Sequence, residues 1–453
     1  MIRAHMNPLL VAAALFGVFT LLGNDSNAQP QPGALGLSEA VRYAVDHSPV
    51  LDSARRSARI GVFESSSALA RLFPAADLNS IHGIQGQNPK LTENPWTSQL
   101  TLSITENLYD NGESWTRRKV ADLNRQLSAL SLLKTRERLC ADIAHEFYRF
   151  SLNTKLLDVQ QRHHQLLKKQ FESMSSQYRQ GLKTRKDYLR FRTQLQSSEI
   201  KLLNSRNLID ESRTELNRLL GAPLDREPAL VLTFVPEEPK PVTPAIPLQP
   251  PAFTNHYEYR VSAIQREIDE NNEALIRRKR WPEVFLSSTL NYQYSNYLGS
   301  SHSGAGDSAT GSPLSRQLSW NTLLNLRYSI WDWGTRSRDA SVAEERRMIG
   351  ANQLTQELLK VRASLADITR QLGKSKADHE LSRELLDLSK QSFAYLEEEY
   401  RQGKLSYLDL VGGFKDLLES NELYYRSYFN LMQNLAQYRY HEGTLYETLL
   451  PTK

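Results

Sequence analysis

Tyr178-Arg179-Gln180-Gly181 is the stretch that decides how this chain is organised, because the same four residues return 222 positions later as Tyr400-Arg401-Gln402-Gly403. At the same offset Asp187 falls on Asp409. A single recurring tetrapeptide carries little weight, but a further match in the same register points to a repeat. The pattern predicts an internal tandem duplication of a unit of roughly 200 residues, so that each half builds the same structure.

Two further sets of residues match in this register. The segment Leu108-Tyr109-Asp110-Asn111-Gly112 falls on Ile330-Trp331-Asp332-Trp333-Gly334. A ladder with a seven-residue period also falls on its counterpart: Leu195, Leu202, Ile209 and Leu216 land on Leu417, Tyr424, Leu431 and Tyr438. A strict seven-residue apolar period predicts helices that supercoil left-handedly against neighbours.

The composition is unlike that of an average globular enzyme. Of 453 residues, 40% are apolar and 24% are charged. This balance is typical of long helices with much exposed surface, or of a layer of protein that has water on both of its faces. The net charge is only +5, acids are interleaved with bases, and no nucleic-acid motif accompanies the short basic runs, so we expect no nucleic-acid partner.

Residues 1–28 have the pattern of a signal peptide: a weakly basic start at Arg3, an apolar run over Leu9 to Leu22, and small residues at 26–28. A retained anchor helix is the alternative. No cysteine follows the predicted cleavage site directly, so lipid attachment at the new N-terminus is not expected. Because no later stretch of 18 apolar residues occurs, entry into a membrane would require β-strands.

Residues 29–220 form the predicted first repeat. A helix opens at Leu37 with Ser38 as its N-cap, and a second helix runs from about Val50 to Leu72. Alternating apolar and polar residues then predict two strands of roughly 10 to 14 residues that end at 108–112. Residues 113–177 contain neither proline nor glycine, which predicts a helix on the order of 100 Å long. Gly181 breaks it, and Thr184 caps a returning helix that ends at Leu220.

Residues 221–256 are a predicted linker that holds nine of the 19 prolines, and an extended crossing is expected there. The second repeat, 257–453, follows the plan of the first. The predicted elements are a helix over Tyr257 to Arg280, strands over Val284 to Tyr297 and Leu318 to Ile330, an exposed loop over 299–313, a long helix over Thr335 to Tyr400, and a return from Tyr407.

Motifs for catalytic, cofactor-binding or metal sites are sparse. No phosphate-binding loop or catalytic triad is present, and His145-Glu146 lacks the second histidine that a zinc helix requires. His163 and His164 point to different helix faces and are expected to be solvated. Cys140 lies in an apolar helical pattern and is predicted to be a buried structural thiol. We therefore predict no enzyme, no cofactor and no metal site.

The strands and the long helices share one requirement. A two-stranded hairpin is not stable alone, and its open edges cannot face lipid. The seams of the helical hairpins also need neighbours to cover them. A ring of protomers meets both needs, with a β-barrel at one end and a helical barrel at the other.

The chain resembles the TolC-type outer-membrane efflux proteins over about residues 35–450. The resemblance rests on the order and spacing of three features: the repeated plan, the strand exits and the two Tyr-Arg-Gln-Gly turns. The resemblance implies an α+β membrane protein that forms a homotrimer. Long antiparallel coiled-coil helices would build a periplasmic α-barrel, and four strands per protomer would contribute to a 12-stranded β-barrel in outer-membrane lipid. It also implies two partners, a periplasmic adaptor (membrane fusion) protein and an inner-membrane pump or ABC transporter.

The resemblance also assigns candidate site residues. The tips of the two hairpins would act in gating and adaptor docking, through Tyr178, Gly181, Asp187, Tyr400, Gly403 and Asp409. Two positions depart from the family pattern: Leu405 stands where a basic linking residue can occur, and Gly412 where a second acid can occur. The gate is therefore looser or linked differently, with Lys183 and Lys404 as candidates.

Several alternatives stay open. The glycines of the two turns can serve only to end helices in the left-handed conformation, with the tyrosines packing nearby. The whole chain can be a secreted coiled-coil structural or adhesin-like protein instead of an exit channel. Within the channel hypothesis, efflux of drugs or metals and type I secretion of proteins both fit the sequence.

Overall fold

The computed structural model describes residues 35–84, 95–222, 233–239, 252–297, 314–405 and 407–450. The predicted signal peptide, the two loops between paired strands and most of the predicted linker lie outside these ranges. Within them, the elements in chain order are α1 (Leu37–His47), α2 (Pro49–Ala70), β1 (Ala75–Ile84), β2 (Pro95–Tyr109), α3 (Glu113–Arg179), α4 (Arg185–Leu220), a 3₁₀ turn (Phe253–Asn255), α5 (Tyr257–Arg278), β3 (Glu283–Tyr297), β4 (Leu314–Arg327), α6 (Thr335–Arg401), α7 (Tyr407–Glu442) and α8 (Leu445–Leu449).

The predicted helices and strands are confirmed, and several of their ends differ from the prediction. Ser38 does not cap α1: the cap is Gly36, whose N–H donates to Glu39 Oε2 at 2.9 Å, and Ser38 lies within the first turn. Strand β4 begins earlier and ends earlier than the sequence predicts. Its last residue, Arg327, pairs with Glu283, the first residue of β3, so no ladder partner is available beyond it.

The three longer helices of one half have the same lengths as their counterparts in the other. Helices α3 and α6 each contain 67 residues, α4 and α7 each contain 36, and α2 and α5 each contain 22. The structure therefore repeats its plan, while the duplication of the sequence itself stays a prediction.

The four strands form one antiparallel sheet in the order β1-β2-β3-β4. One face carries an apolar cross-strand row, in which Leu102 lies between Leu78 and Leu290, and Leu290 pairs with Trp320. All four of these side chains are exposed. The opposite face carries a polar row, in which Thr101 Oγ1 donates to Asn291 Oδ1 at 3.1 Å. The sheet thus separates an apolar face from a polar one.

Each 67-residue helix is covered by two shorter helices in succession. Contacts join α3 to α2 and α4, and α6 to α5 and α7. At 1.5 Å per residue, α3 and α6 are each about 100 Å long, whereas α4 and α7 return only about half that distance. No helix in the described ranges combines the length and apolar character that a membrane crossing requires.

The main core lies midway along the bundle, where the shorter helices meet. Phe147 of α3 and Phe429 of α7 are fully buried there, together with Leu216 of α4. The predicted linker contributes as well: Phe234 is buried, its ring lies 6.5 Å from that of Phe147, and its segment pairs in parallel with Leu35. This part of the linker is therefore anchored to the core.

Candidate functional site

The two Tyr-Arg-Gln-Gly turns have the same backbone geometry. Gly181 has φ +75° and Gly403 has φ +73°, and each amide donates to the carbonyl three residues earlier, that of Tyr178 or Tyr400, at 3.0 Å. The next amide in each turn reaches back five residues, at 2.9 Å. This pair of hydrogen bonds is a Schellman helix end, in which a left-handed residue satisfies the last free carbonyls. Glycine is therefore required at both turns for local reasons.

The side chains of the first turn form a self-contained cap. Thr184 Oγ1 accepts from the amide of Asp187 at 3.2 Å, which confirms the predicted N-cap of α4, and it donates to Asp187 Oδ2 at 2.8 Å. The hydrogen bond from Thr184 is the largest influence on Asp187 and lowers the pKa of its carboxyl. Tyr178 stacks on Tyr188 with ring centres 5.0 Å apart, which joins α3 to α4.

The second turn keeps the backbone but changes the packing. Leu410 stands where the first turn has Tyr188, and the two helices are joined instead by Phe393 and Phe414, whose ring centres lie 5.5 Å apart. Tyr400 is 39% exposed, and Asp409 is exposed near the start of α7. The structure thus brings each predicted trio to one helical end, about 100 Å of helix from the strands. Their roles in gating and docking stay predictions.

The sequence reasoning missed a polar seam inside each hairpin. Between the predicted apolar rungs, α4 carries Ser198, Ser205 and Ser212 at seven-residue spacing, and α7 carries Ser420, Ser427 and Asn434 at the equivalent positions. Several contacts cross to the facing helix. Asn153 donates to Ser212 Oγ at 3.0 Å, Ser389 and Ser420 lie 2.7 Å apart, His379 Nδ1 lies 3.3 Å from Ser427 Oγ, and Asn434 donates to Ser375.

The seam has a physical consequence for the hairpins. Small residues let the helices approach closely, and paired polar groups at seam positions specify the register of a coiled coil at some cost in stability. His164 takes part, since its Nδ1 lies 2.8 Å from Ser198 Oγ, so the expectation that it is simply solvated is wrong. A seven-residue period of serines was the signal available in the sequence.

The strand exits also repeat. Asp110 accepts hydrogen bonds from the amides of Gly112, at 3.0 Å, and Ser114, at 2.7 Å. Asp332 accepts from the amides of Gly334, at 3.0 Å, and Arg336, at 3.1 Å. Burial opposes ionisation of Asp110, but hydrogen bonds from the Ser114 side chain and then from the backbone amides outweigh it and lower the pKa of its carboxyl. The two aspartates therefore cap the long helices where they leave the sheet.

Two findings bear on metal binding and on thiol chemistry in the described residues. They contain no cluster of histidine, cysteine and acidic side chains suited to a metal ion. Cys140 is fully buried, as predicted, and burial raises the pKa of its thiol to about 12. A low thiolate fraction makes the thiol a poor nucleophile.

A pair of histidines joins the N-cap of α5 to the end of α7. His256 Nδ1 accepts from the amide of Glu258 at 3.3 Å, so its proton lies on Nε2, which donates to His441 Nδ1 at 3.0 Å. Burial, followed by the neighbouring His256, lowers the pKa of His441 to about 4. No sequence signal linked these residues, which are 185 positions apart.

Comparison with known proteins addresses the predicted family. Residues 47–222 match the family model of the outer membrane efflux proteins. The resemblance to this family is confirmed. The matched segment includes α2 to α4, with the first turn and its predicted site residues. No curated protein matches the sequence.

Solved structures extend the likeness of fold to nearly the whole chain. The CmeC outer membrane channel of Campylobacter jejuni superposes with a TM-score of 0.75 at 12% identity, covering 90% of this chain and 86% of that one. The outer membrane protein VceC of Vibrio cholerae gives 0.70 at 16%, covering 90% and 96%. The open state of the MtrE channel of Neisseria gonorrhoeae gives 0.68 at 15%, covering 90% and 89%.

The solved structures confirm the predicted fold class, and the family match indicates an outer-membrane location. They also agree with a channel protein instead of an enzyme, because the matches are to outer membrane channels and efflux proteins.

Proposed function

We propose that this chain forms a homotrimeric exit channel that passively conducts substrates from an inner-membrane pump through the periplasm to the exterior. A single observation carries the proposal: one protomer joins an amphipathic four-stranded sheet to helical hairpins about 100 Å long. The exposed apolar row of the sheet suits lipid, and its polar row suits a wet interior.

The edges of the sheet support assembly from several copies. Strands β1 and β4 each have one neighbour in the described ranges, so the outer edge of each leaves its backbone groups unpaired. Open edges are not tolerated in a hydrocarbon layer. Three copies that join β4 of one protomer to β1 of the next close a 12-stranded wall, and the same symmetry covers the exposed faces of α3 and α6.

The partners in this proposal follow from the passive nature of the duct. A passive duct needs an external driving force, so energy would come from an inner-membrane pump or ABC transporter, and a periplasmic adaptor would engage the two turns. The proposal also includes the predicted division of the chain: a signal peptide over 1–28, a first repeat over 29–220, a linker over 221–256 and a second repeat over 257–453.

The proposal is tested by purifying the protein from outer membranes without heating it. The expected result is a trimer that dissociates only on heating in detergent and that conducts ions across a planar lipid bilayer. A soluble, extended filament in the culture medium would instead support the secreted coiled-coil alternative and would overturn the channel.

The gate is tested on the same preparation. Replacing Asp187 with Ala and Tyr400 with Phe should raise single-channel conductance, because the resemblance places both residues in the polar links of the closed tip. Thr184→Ala is the matched control, since it removes the observed cap partner of Asp187 but leaves the carboxylate in place. Unchanged conductance in the double variant would remove both residues from the gate.

A further inference from the structure

The two turns differ sharply in charge, although their backbones are alike. Residues 175–192 hold six cations and one anion, a net charge of +5; the cations are Arg179, Lys183, Arg185, Lys186, Arg190 and Arg192. The equivalent residues 397–414 hold four anions and two cations, a net charge of −2; the anions are Glu397, Glu398, Glu399 and Asp409. One protomer therefore presents a basic turn and an acidic turn at the same end of the bundle.

The charges of the basic turn are available for binding. All six cationic side chains are exposed, and none forms an ion pair with any residue in the described ranges. Arg179 reaches only the carbonyl of Ser175 in its own helix, at 3.4 Å. In the acidic turn, by contrast, Glu398 pairs with Arg401 at 3.3 Å and accepts from Gln402 at 2.9 Å. The basic turn thus keeps an uncompensated positive field.

An apolar side chain sits at the apex of the basic turn. Leu182 is 70% exposed, directly after Gly181, and it is flanked by Lys183. Leu182 therefore offers a partner protein an apolar contact, while the surrounding like charges would orient that partner and raise its association rate.

We infer that the basic turn, residues 175–192, docks an acidic segment of a periplasmic protein partner. The inference rests on the proposed function and adds the chemistry of the docked surface. A protein fits better than a membrane, because an anionic bilayer would attract the basic turn and repel the acidic turn beside it. A protein surface can oppose each turn with the complementary charge, and alternating turns around the ring would fix the register of the partner.

Equivalent positions in the two turns provide a matched experiment. A photoreactive amino acid replaces Leu182 or its counterpart Lys404 in the full-length chain, the protein is illuminated in its own cells, and the cross-linked segments are sequenced by mass spectrometry. From position 182, the expected product is a protein segment of net negative charge. Reversing the neighbouring charges with Lys183→Glu, Arg185→Glu and Lys186→Glu should reduce its yield about tenfold or more, since like charges are brought together.

The outcomes separate this inference from the proposed function. Cross-links from position 182 only to lipid, to a second copy of this chain or to basic segments would overturn the acidic partner, as would a yield unaffected by charge reversal. In each of these cases a heat-modifiable, conducting trimer would still be recovered. Loss of the trimer in the unsubstituted protein would instead refute the channel itself.

Discussion

Two left-handed glycines provide a controlled test of where the chain is tightly packed. Gly221 ends α4 with φ +73°, and Gly181 ends the first turn with φ +75°. A side chain at Gly181 would meet no atom within 4 Å. A Cβ at Gly221 would lie 2.7 Å from the carbonyl oxygen of His47 and 2.8 Å from Pro49 Cδ, at the buried junction of α1 and α2.

The expected magnitudes follow from this difference. Alanine in the left-handed conformation costs about 1 kcal/mol at either position. At Gly221 the clash adds about 2 kcal/mol, because a main-chain carbonyl and a proline ring cannot move aside as a flexible side chain can. We therefore expect Gly221→Ala to destabilise the protein by about 3 kcal/mol, and Gly181→Ala or Gly403→Ala by about 1 kcal/mol.

Thermal unfolding followed by circular dichroism, at one scan rate, measures these effects. Gly221→Ala should lower the unfolding midpoint clearly more than Gly181→Ala, and Gly403→Ala should match Gly181→Ala. Equal losses at positions 221 and 181 would refute the reasoning, because they would show that the first turn is packed as tightly as the core junction.

Three further predictions concern other sites. Asp110→Ala should destabilise the start of α3 by about 1 kcal/mol through loss of its cap, measured as faster amide exchange there. Acidification from pH 6.5 towards 4 should destabilise the protein by on the order of 2 kcal/mol through His441, because the unfolded state then binds the proton that the folded state excludes. His441→Gln should flatten this pH dependence of the melting midpoint, whereas the exposed control His145→Gln should not. Cys140 should resist maleimide labelling until denaturant is added; rapid labelling of the folded protein would contradict its burial.

Much of the fold could be predicted because its signals are local. The absence of glycine and proline over 113–177 marks one long helix, and α3 ends only two residues later, at Arg179. The alternation around Leu102 predicts β2, and the position of Thr184 after Gly181 predicts a helix cap. The offset of 222 carried the same assignments to the second half, where the helices have the same lengths.

The rest depended on contacts between distant residues. Phe234 lies in proline-rich sequence that predicts an extended linker, and no local signal shows that its ring packs on α3 in the core. The pairing of His256 with His441 joins the start of α5 to the end of α7, and no spacing rule connects them. At the candidate site, the sequence located both turns, but only the structure shows that Asp187 is bound to Thr184 in its own cap.

The central claim is that three copies of this chain enclose one continuous passage. Electron cryomicroscopy of the purified, unheated protein tests it most directly. We predict a three-fold ring with a 12-stranded wall at one end, six helical turns at the other, and an open interior along the helices. A monomer, or a filament whose helices pack around a solid axis, would contradict the account.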